Sequence, residues 1–239
     1  MANGIKIGTN NISGIKIGTA DVDAVYIGTN LVYSASTTPS YKWLATYSDS
    51  STSSAECDAT SAITSGEVIT TDLVAVEIGD CVTSISAVTF LQCGTLTAAT
   101  LPNTITSIGQ SAFAECGSLA DINIPSGLTA ISNSCFGGCS GLTSMTIPDS
   151  VTDIGNSAFQ DCKGMVDCTI GSGVTSIGVA AFAGCSELIS LTVNALVPPT
   201  LGNYAFANTP SRLSVYVPSA SFYDYRVASG WGDMNILAN

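Results

Sequence analysis

Three groups of residues in this sequence have types and spacings that could do chemistry. The first is a cysteine behind a carboxylate in a turn opened by glycine, "GNSAFQDC", Gly155 to Cys162. A reactive thiolate or a metal-bound sulfur would need a polar, accessible setting of that kind. The second is a carboxylate pair, Asp149 and Asp153. Glycoside hydrolysis uses such a pair, provided one carboxyl has a raised pKa in a sheltered cleft. The third is a set of short polar residues: Asp121, Asn123 and Asp167, which could touch a glycan or Ca²⁺, with Thr169 beside them as a further ligand- or partner-binding residue. Histidine is absent. That removes Ser-His-Asp and Cys-His catalysis and histidine-ligated metals together. No P-loop and no dinucleotide-binding fingerprint occurs; the recurrent "IGT" and "SIG" lack both pattern and context.

Repetition answers the question about Cys162. Cys93, Cys116, Cys139, Cys162 and Cys185 are each 23 residues apart. Phe90, Phe113, Phe136, Phe159 and Phe182 keep the same step, with Phe206 one residue late. So do Ile85, Ile108, Ile131, Ile154 and Ile177, continued by Leu201. Leu73, Leu96, Leu119, Leu142, Met165 and Leu188 open the units. A fixed period in the twenties is the mark of a solenoid. Cys162 is then a core residue, one rung of a ladder of small apolar side chains. Zinc is not expected, because four ligands must surround the ion and a straight ladder cannot do that. Neighbouring rungs could come within disulfide reach, but five in a row cannot all pair, and the cysteines number nine. Cys135 and Cys168 fall on core positions of their own units. Cys57 and Cys81 lie outside the ladder and receive no role.

The elements follow from one unit, "LTSMTIPDSVTDIGNSAFQDCKG", Leu142 to Gly164. Met145 and Ile147 alternate with Ser144 and Thr146, as in a strand with one buried face. Pro148 ends it, as Pro102 and Pro125 do before it, since proline donates no ladder hydrogen bond. The apolar spacings of Ile154, Ala158, Phe159 and Cys162 are about one helical turn, which predicts a short helix or 3₁₀ turn packed on the strand layer. The expectation is an α/β solenoid of 23-residue units, each a parallel strand plus a short helix, stabilised by its neighbours. The outward strand positions form two columns. One is Ala75, Ala98, Asp121, Ser144, Asp167, Ser190 and Ser214. The other is Glu77, Thr100, Asn123, Thr146, Thr169, Thr192 and Tyr216. A solvated face, a weak glycan or Ca²⁺ contact at Asp121, Asn123 and Asp167, and an inter-subunit contact all remain open for them. Tyr216 is the one aromatic anchor in the columns.

Composition bounds the partners. The chain has 239 residues, 46% hydrophobic and 10% charged, with a net charge of −12. That content can bury a real core. No Lys or Arg occurs between Lys42 and Lys163, so clustered cations for a nucleic acid are missing, and an anionic membrane would repel the chain. No apolar run is long enough for a membrane-spanning helix. "MANGIKIGTN" has no apolar run behind a basic start, so Sec export is not expected from this sequence; the chain is assembled in a cytoplasm, or a leader has been removed. Residues 1–35 hold a ten-residue repeat, "IKIGTNNISG", "IKIGTADVDA" and "VYIGTNLVYS", with Ile5, Ile7, Ile15, Ile17, Val25 and Ile27 on its strands. This small β segment is read as a docking or oligomerisation device, with a plain β cap as the alternative. Residues 36–72 should form an N-terminal cap hairpin turning at Asp49-Ser50, residues 73–218 the solenoid, and residues 219–239 a C-terminal cap helix and tail.

The unit L-x-x-[IVM]-x-[IV]-P-x-x-[VIL]-x-x-I-G-x-x-A-F-x-x-C resembles the leucine-rich repeat of the BspA type. "SIGQSAFAEC", "DIGNSAFQDC" and "SIGVAAFAGC" recur in register, and "VPPTLGNYAF" with "VYVPSASFYDYRVASGW" is similar to that family's last repeat and capping helix. The resemblance covers about two-thirds of the chain. It implies adhesion or structural display rather than catalysis, on bacterial cell surfaces or in bacteriophage particles. "VYIGTNLVY" resembles N-terminal segments of phage tail and fibre-like proteins. The expected function is a non-enzymatic phage virion component, a fibre or decoration protein, localised to the virion. It would form a homo-oligomer and contact other virion or surface proteins through residues 1–35, and host glycan through the solenoid. The alternative is a bacterial cell-surface adhesin for host glycan or protein. No cofactor and no metal are expected.

Overall fold

The computed structural model describes residues 6–7, 10–11, 24–27, 30–34, 41–56, 62–66 and 72–239. The chain divides into two units, 1–40 and 41–239. In the first, β1 (Lys6–Ile7) pairs antiparallel with β2 (Asn10–Asn11), and β3 (Ala24–Ile27) with β4 (Asn30–Ser34). Of the apolar residues assigned to docking, Ile7 lies in β1 and Val25 and Ile27 in β3. Ile5, Ile15 and Ile17 lie outside the described residues.

The second unit opens with a hairpin, β5 (Tyr41–Tyr47) and β6 (Thr52–Glu56), followed by β7 (Ala62–Ile63). At the hairpin turn Ser50 has a φ of 67° and the Asp49 carboxylate accepts the Ser51 N–H. Six coils follow, each with a front and a back strand. They are β8 (Leu73–Ile78) and β9 (Ser84–Ile85); β10 (Ala98–Thr100) and β11 (Ser107–Ile108); β12 (Asp121–Ile122) and β13 (Ala130–Ile131). Then come β14 (Ser144–Ile147) and β15 (Asp153–Ile154); β16 (Asp167–Ile170) and β17 (Ser176–Ile177); β18 (Ser190–Val193) and β19 (Thr200–Leu201). A last front strand, β20 (Ser214–Val217), leads through helix α1 (Phe222–Val227) to β21 (Asn235–Ala238).

Front and back strands pair parallel, residues 23 positions apart in coils 1 to 5, as in Ser144↔Asp167 and Ile131↔Ile154, and 24 apart at β19 and β20, as in Ser176↔Thr200. At the N-terminal end β5 lies antiparallel to β8. Two front sheets result, β12-β10-β8-β5-β6 and β14-β16-β18-β20-β21, and two back sheets, β11-β9-β7 and β13-β15-β17-β19. The strand pairing is thus interrupted once on each face, at the two sides of coil 3.

The third side of each coil is not the expected helix. It is a wall of overlapping turns, and the reason is in the backbone. Residues two before and two after each Phe have positive φ, among them Ser111 and Glu115, Ser134 and Gly138, Ser157 and Asp161, Ala180 and Gly184. A left-handed residue every four positions cannot belong to a right-handed helix. In exchange, N–H groups reach the next coil: Ser157, Phe159 and Asp161 donate to the carbonyls of Val179, Ala181 and Ala183, and all the other junctions repeat this. Helical hydrogen bonds would close within one coil; these tie coil to coil and set the 23-residue period. Most of the left-handed residues are not glycine, so they carry strain, worth about 1–2 kcal/mol each. Ala180, with a φ of 54°, offers a test. Ala180→Gly should raise the melting temperature by a few degrees in a calorimetric scan; a fall would mean that glycine's extra unfolded-state entropy outweighs the relief.

Inside the wall the Phe rings stack at 5.0–5.7 Å between centroids, from Phe90 to Phe206, nearly parallel throughout. Phe90 through Phe182 are fully buried. At the far end Trp231 tilts over Phe206 and Tyr225 meets Trp231 edge-on. The buried polar tips are satisfied: the Tyr225 hydroxyl donates to the Ala195 carbonyl and the Trp231 indole to that of Pro199.

Candidate functional site

The cysteine ladder is structural, and it has a hydrogen-bonding reason. The thiols of Cys116, Cys139, Cys162 and Cys185 each donate to the carbonyl of the Phe of the preceding coil, at 3.0–3.2 Å. Each of these four carbonyls also accepts the N–H of the Cys in its own coil. A buried carbonyl has two lone pairs, and both are used. The Cys139 thiol beside it pushes Cys116 up to about 12, and burial pushes Cys185 up to about 12. Burial also raises Cys135, Cys162 and Cys168. None offers a thiolate at neutral pH, so none is a nucleophile. With Cys93 and Cys139 they make seven buried cysteines outside any disulfide among the described residues. Cys81 differs: it is disulfide-bonded. Cys57 lies outside the described residues.

The carboxylate pair is structural as well. Asp149 accepts the Ser172 N–H at 2.6 Å, and Asp153 accepts the hydroxyls of Ser176 and Thr152 at 2.6 Å. These bonds hold both carboxyls below the usual carboxylate value, the Ser172 amide acting on Asp149 and the Ser176 hydroxyl on Asp153. A general acid needs the opposite shift. Both groups fasten one coil to the next. Asn103, Asn133 and Asn156 do the same, accepting the N–H of Ser126, Asn156 and Val179. Sequence reasoning missed this lacing; the signal was an Asn or Asp at matching turn positions of successive units.

The outward columns remain. Asp121, Ser144 and Asp167 stand side by side in the first, exposed, as do Asn123 and Thr146 in the second, with Thr169 half-buried beside them. Asn123 is not free to coordinate a ligand through both ends of its amide. Its oxygen accepts the Leu101 N–H and its nitrogen donates to the Leu101 carbonyl, at 2.9 and 2.7 Å. Tyr216 is half-buried between Thr192 of β18 and Leu237 of β21, so it is not the last rung of the face. Among the described residues no group of three acidic or cysteine side chains could hold a metal ion.

The structure adds one feature to these columns. A groove runs between β12 and β14, where the front pairing is interrupted. Asp121, Asn123, Ser144 and Thr146 line its rim, and Ile122, Met145 and Pro148 its floor. It brings Asp121 and Asn123 together but leaves Asp167, Thr169 and Tyr216 outside.

The repeat unit and its stacking are thus fixed by structure: parallel strands on two sides, a turn wall on the third, Phe and Cys ladders within. A family model described as the BspA type leucine rich repeat region matches residues 83–212 in six copies. This chain belongs to the BspA-type leucine-rich repeat family. The matched residues run from just before β9 to just before β20. Among solved structures, a leucine rich cell surface protein from Faecalibacterium prausnitzii is 34% identical over 50% of this chain, with a TM-score of 0.49. This chain covers 31% of that protein. The leucine-rich repeat protein of T. pallidum is 25% identical, with a TM-score of 0.45, covering 64% of this chain and 84% of that one. The pneumococcal vaccine antigen PcpA, 17% identical, matches 69% of this chain and 41% of its own at a TM-score of 0.54, a likeness of fold. Curated proteins give no match.

Proposed function

We propose that this BspA-type repeat protein is a non-enzymatic recognition module of a bacterial surface, binding host glycan or protein through its front sheet. The groove between β12 and β14 carries the reading. It sets polar rim groups around a small apolar floor, and small ligands bind in concave places where a few polar groups converge. Asp121 and Ser144 are its adaptable groups, and Asn123 shapes its wall. The groups first suspected of catalysis, Cys162 and the pair Asp149 and Asp153, hold the fold together instead, which favours binding over turnover.

The disulfide at Cys81 supports maturation in an oxidising space, since disulfides persist on cell surfaces and not in a reducing cytoplasm. The virion alternative has no such observation of its own. Residues 1–35 would then serve to dock the solenoid on a neighbouring surface protein or a second copy.

Screening the full chain and its Ser144→Lys variant on an array of mammalian glycans and on immobilised matrix proteins tests the site. Binding lost in Ser144→Lys, but kept when the wall residue Asn203 becomes lysine, is the expected result. Equal loss or equal retention in both would remove the groove from the reading. Thiol counting on the denatured, unreduced protein tests the compartment. Seven reactive thiols are expected, against nine after reduction; nine in both states would count against surface maturation.

A further inference from the structure

Coil 3 is fastened unlike the others. Its front strand β12 pairs back to β10 and not forward to β14, while its back strand β13 pairs forward to β15 and not back to β11. Only the turn wall crosses both of its junctions, through the N–H groups of Ser111, Phe113 and Glu115 before it and Ser134, Phe136 and Gly138 after it.

One residue accounts for the back side. Gly109, Gly155, Gly178 and Gly202 occupy the same place in their coils, and each N–H donates to the back-strand isoleucine carbonyl of the preceding coil at 2.7–2.8 Å. A Cβ there would come within 2.3–2.7 Å of a backbone nitrogen of that coil, closer than atoms can approach. Coil 3 has Ser132 at this place. Its Cβ cannot enter, its N–H makes no such bond, and its hydroxyl donates to the Ile108 carbonyl instead. Thr129 likewise lacks the bond to the preceding coil that Thr106, Thr152 and Thr175 make. Ser86, at the same place in coil 1 as Ser132 in coil 3, bonds to Ile63 of β7. The Phe113–Phe136 spacing, 5.7 Å, is the widest between Phe rings of the ladder.

The front side of coil 3 lacks bonds that later coils make. Gly171 and Asn194 tie the ends of β16 and β18 by donating to Ile147 and Ile170. Pro148 stands at that place in coil 4, as Pro102 and Pro125 do in coils 2 and 3, and has no N–H to give. Thr143 also lacks the bond to Ala120 that Val166 makes to Thr143 and Ile189 to Val166.

We propose that coil 3 is a built-in hinge: the solenoid opens first there, pivoting on the turn wall and widening the groove between β12 and β14. This holds whatever the groove binds. Local opening of a folded chain is read by hydrogen exchange at amides that are bonded in the closed state. Ala120 and Thr152 donate across the two intact junctions of coil 3, as Ile189 and Thr175 do farther along. On the full chain, Ala120 and Thr152 should exchange about tenfold faster than Ile189 and Thr175. Ser132→Gly lets the back strands close and should bring Thr152 to within a few-fold of Thr175. Ser132→Ala keeps the Cβ and removes the hydroxyl bond, and should speed Thr152 further. Uniform protection along the coils of the native protein would overturn the hinge, as would a Thr152 rate that both variants leave unchanged.

Discussion

Phe159→Ala is expected to destabilise the solenoid by about 3–5 kcal/mol, the range for removing a fully buried aromatic ring. Phe159 is wholly buried and lies between Phe136 and Phe182 at 5.4 and 5.1 Å. Its loss leaves a void that cannot collapse, because the wall above and below is held at fixed spacing by inter-coil hydrogen bonds. The same change at Phe206, which is half-buried and has the tilted Trp231 on one side, should cost markedly less. Urea unfolding of both variants measures the difference. Equal losses would mean that the ladder is not the source of the solenoid's stability, and that the strands carry it.

Alkali should unfold the chain well before the tyrosines alone would do so. In the unfolded chain a thiol ionises near its ordinary value of 9.0, while in the fold Cys116 and Cys185 are held up to about 12 and Cys135, Cys162 and Cys168 are raised as well. A folded-state pKa raised in this way leaves stability intact below pH 9 and removes it as pH climbs from 9 toward 12. Each such thiol costs about 1.4 kcal/mol per pH unit across that window. With several acting together, the fold should be lost within about one or two units above 9. A circular dichroism titration under reducing conditions locates the transition, and Cys162→Ala should make it shallower. Retention of the fold to pH 12, or a variant with an unchanged slope, would show that the buried thiols are not coupled to folding.

The parts of this architecture that were legible in the sequence are those fixed by side-chain identity at a constant step. Phe90 to Phe206, the Cys ladder and the alternation of Met145 and Ile147 with Ser144 and Thr146 announce an interior, and the structure has that interior. The short helix was misread because Ala158, Phe159 and Cys162 have helical spacing and yet face inward from a chain of turns. The residues that forbid the helix, such as Ser157, Asp161 and Ala180, have positive φ without being glycine or, for the most part, asparagine. No rule of composition points to them; inter-coil hydrogen bonds impose the conformation after the coils have stacked. The candidate site was half legible. Alternation places Asp121, Asn123 and Asp167 on the outer face, but the groove depends on a missing pairing between β12 and β14. At that gap the Thr143 N–H does not reach Ala120, where its counterparts Val166 and Ile189 do bond back, and no single unit of the repeat reveals it.

The turn wall has one more property, which is direction. At every junction its N–H groups point from one coil to the carbonyls of the next, from Val88, Phe90 and Gln92 through to Ala180, Phe182 and Gly184. Peptide dipoles so aligned add along a line, as they do in a helix, and leave partial positive charge where the donors run out. They run out at Tyr204, Phe206 and Asn208, whose N–H groups have no following coil to accept them. A molecule with a net charge of −12 therefore has a backbone that is electrically polarised along one edge, with its donor end at the C-terminal rim.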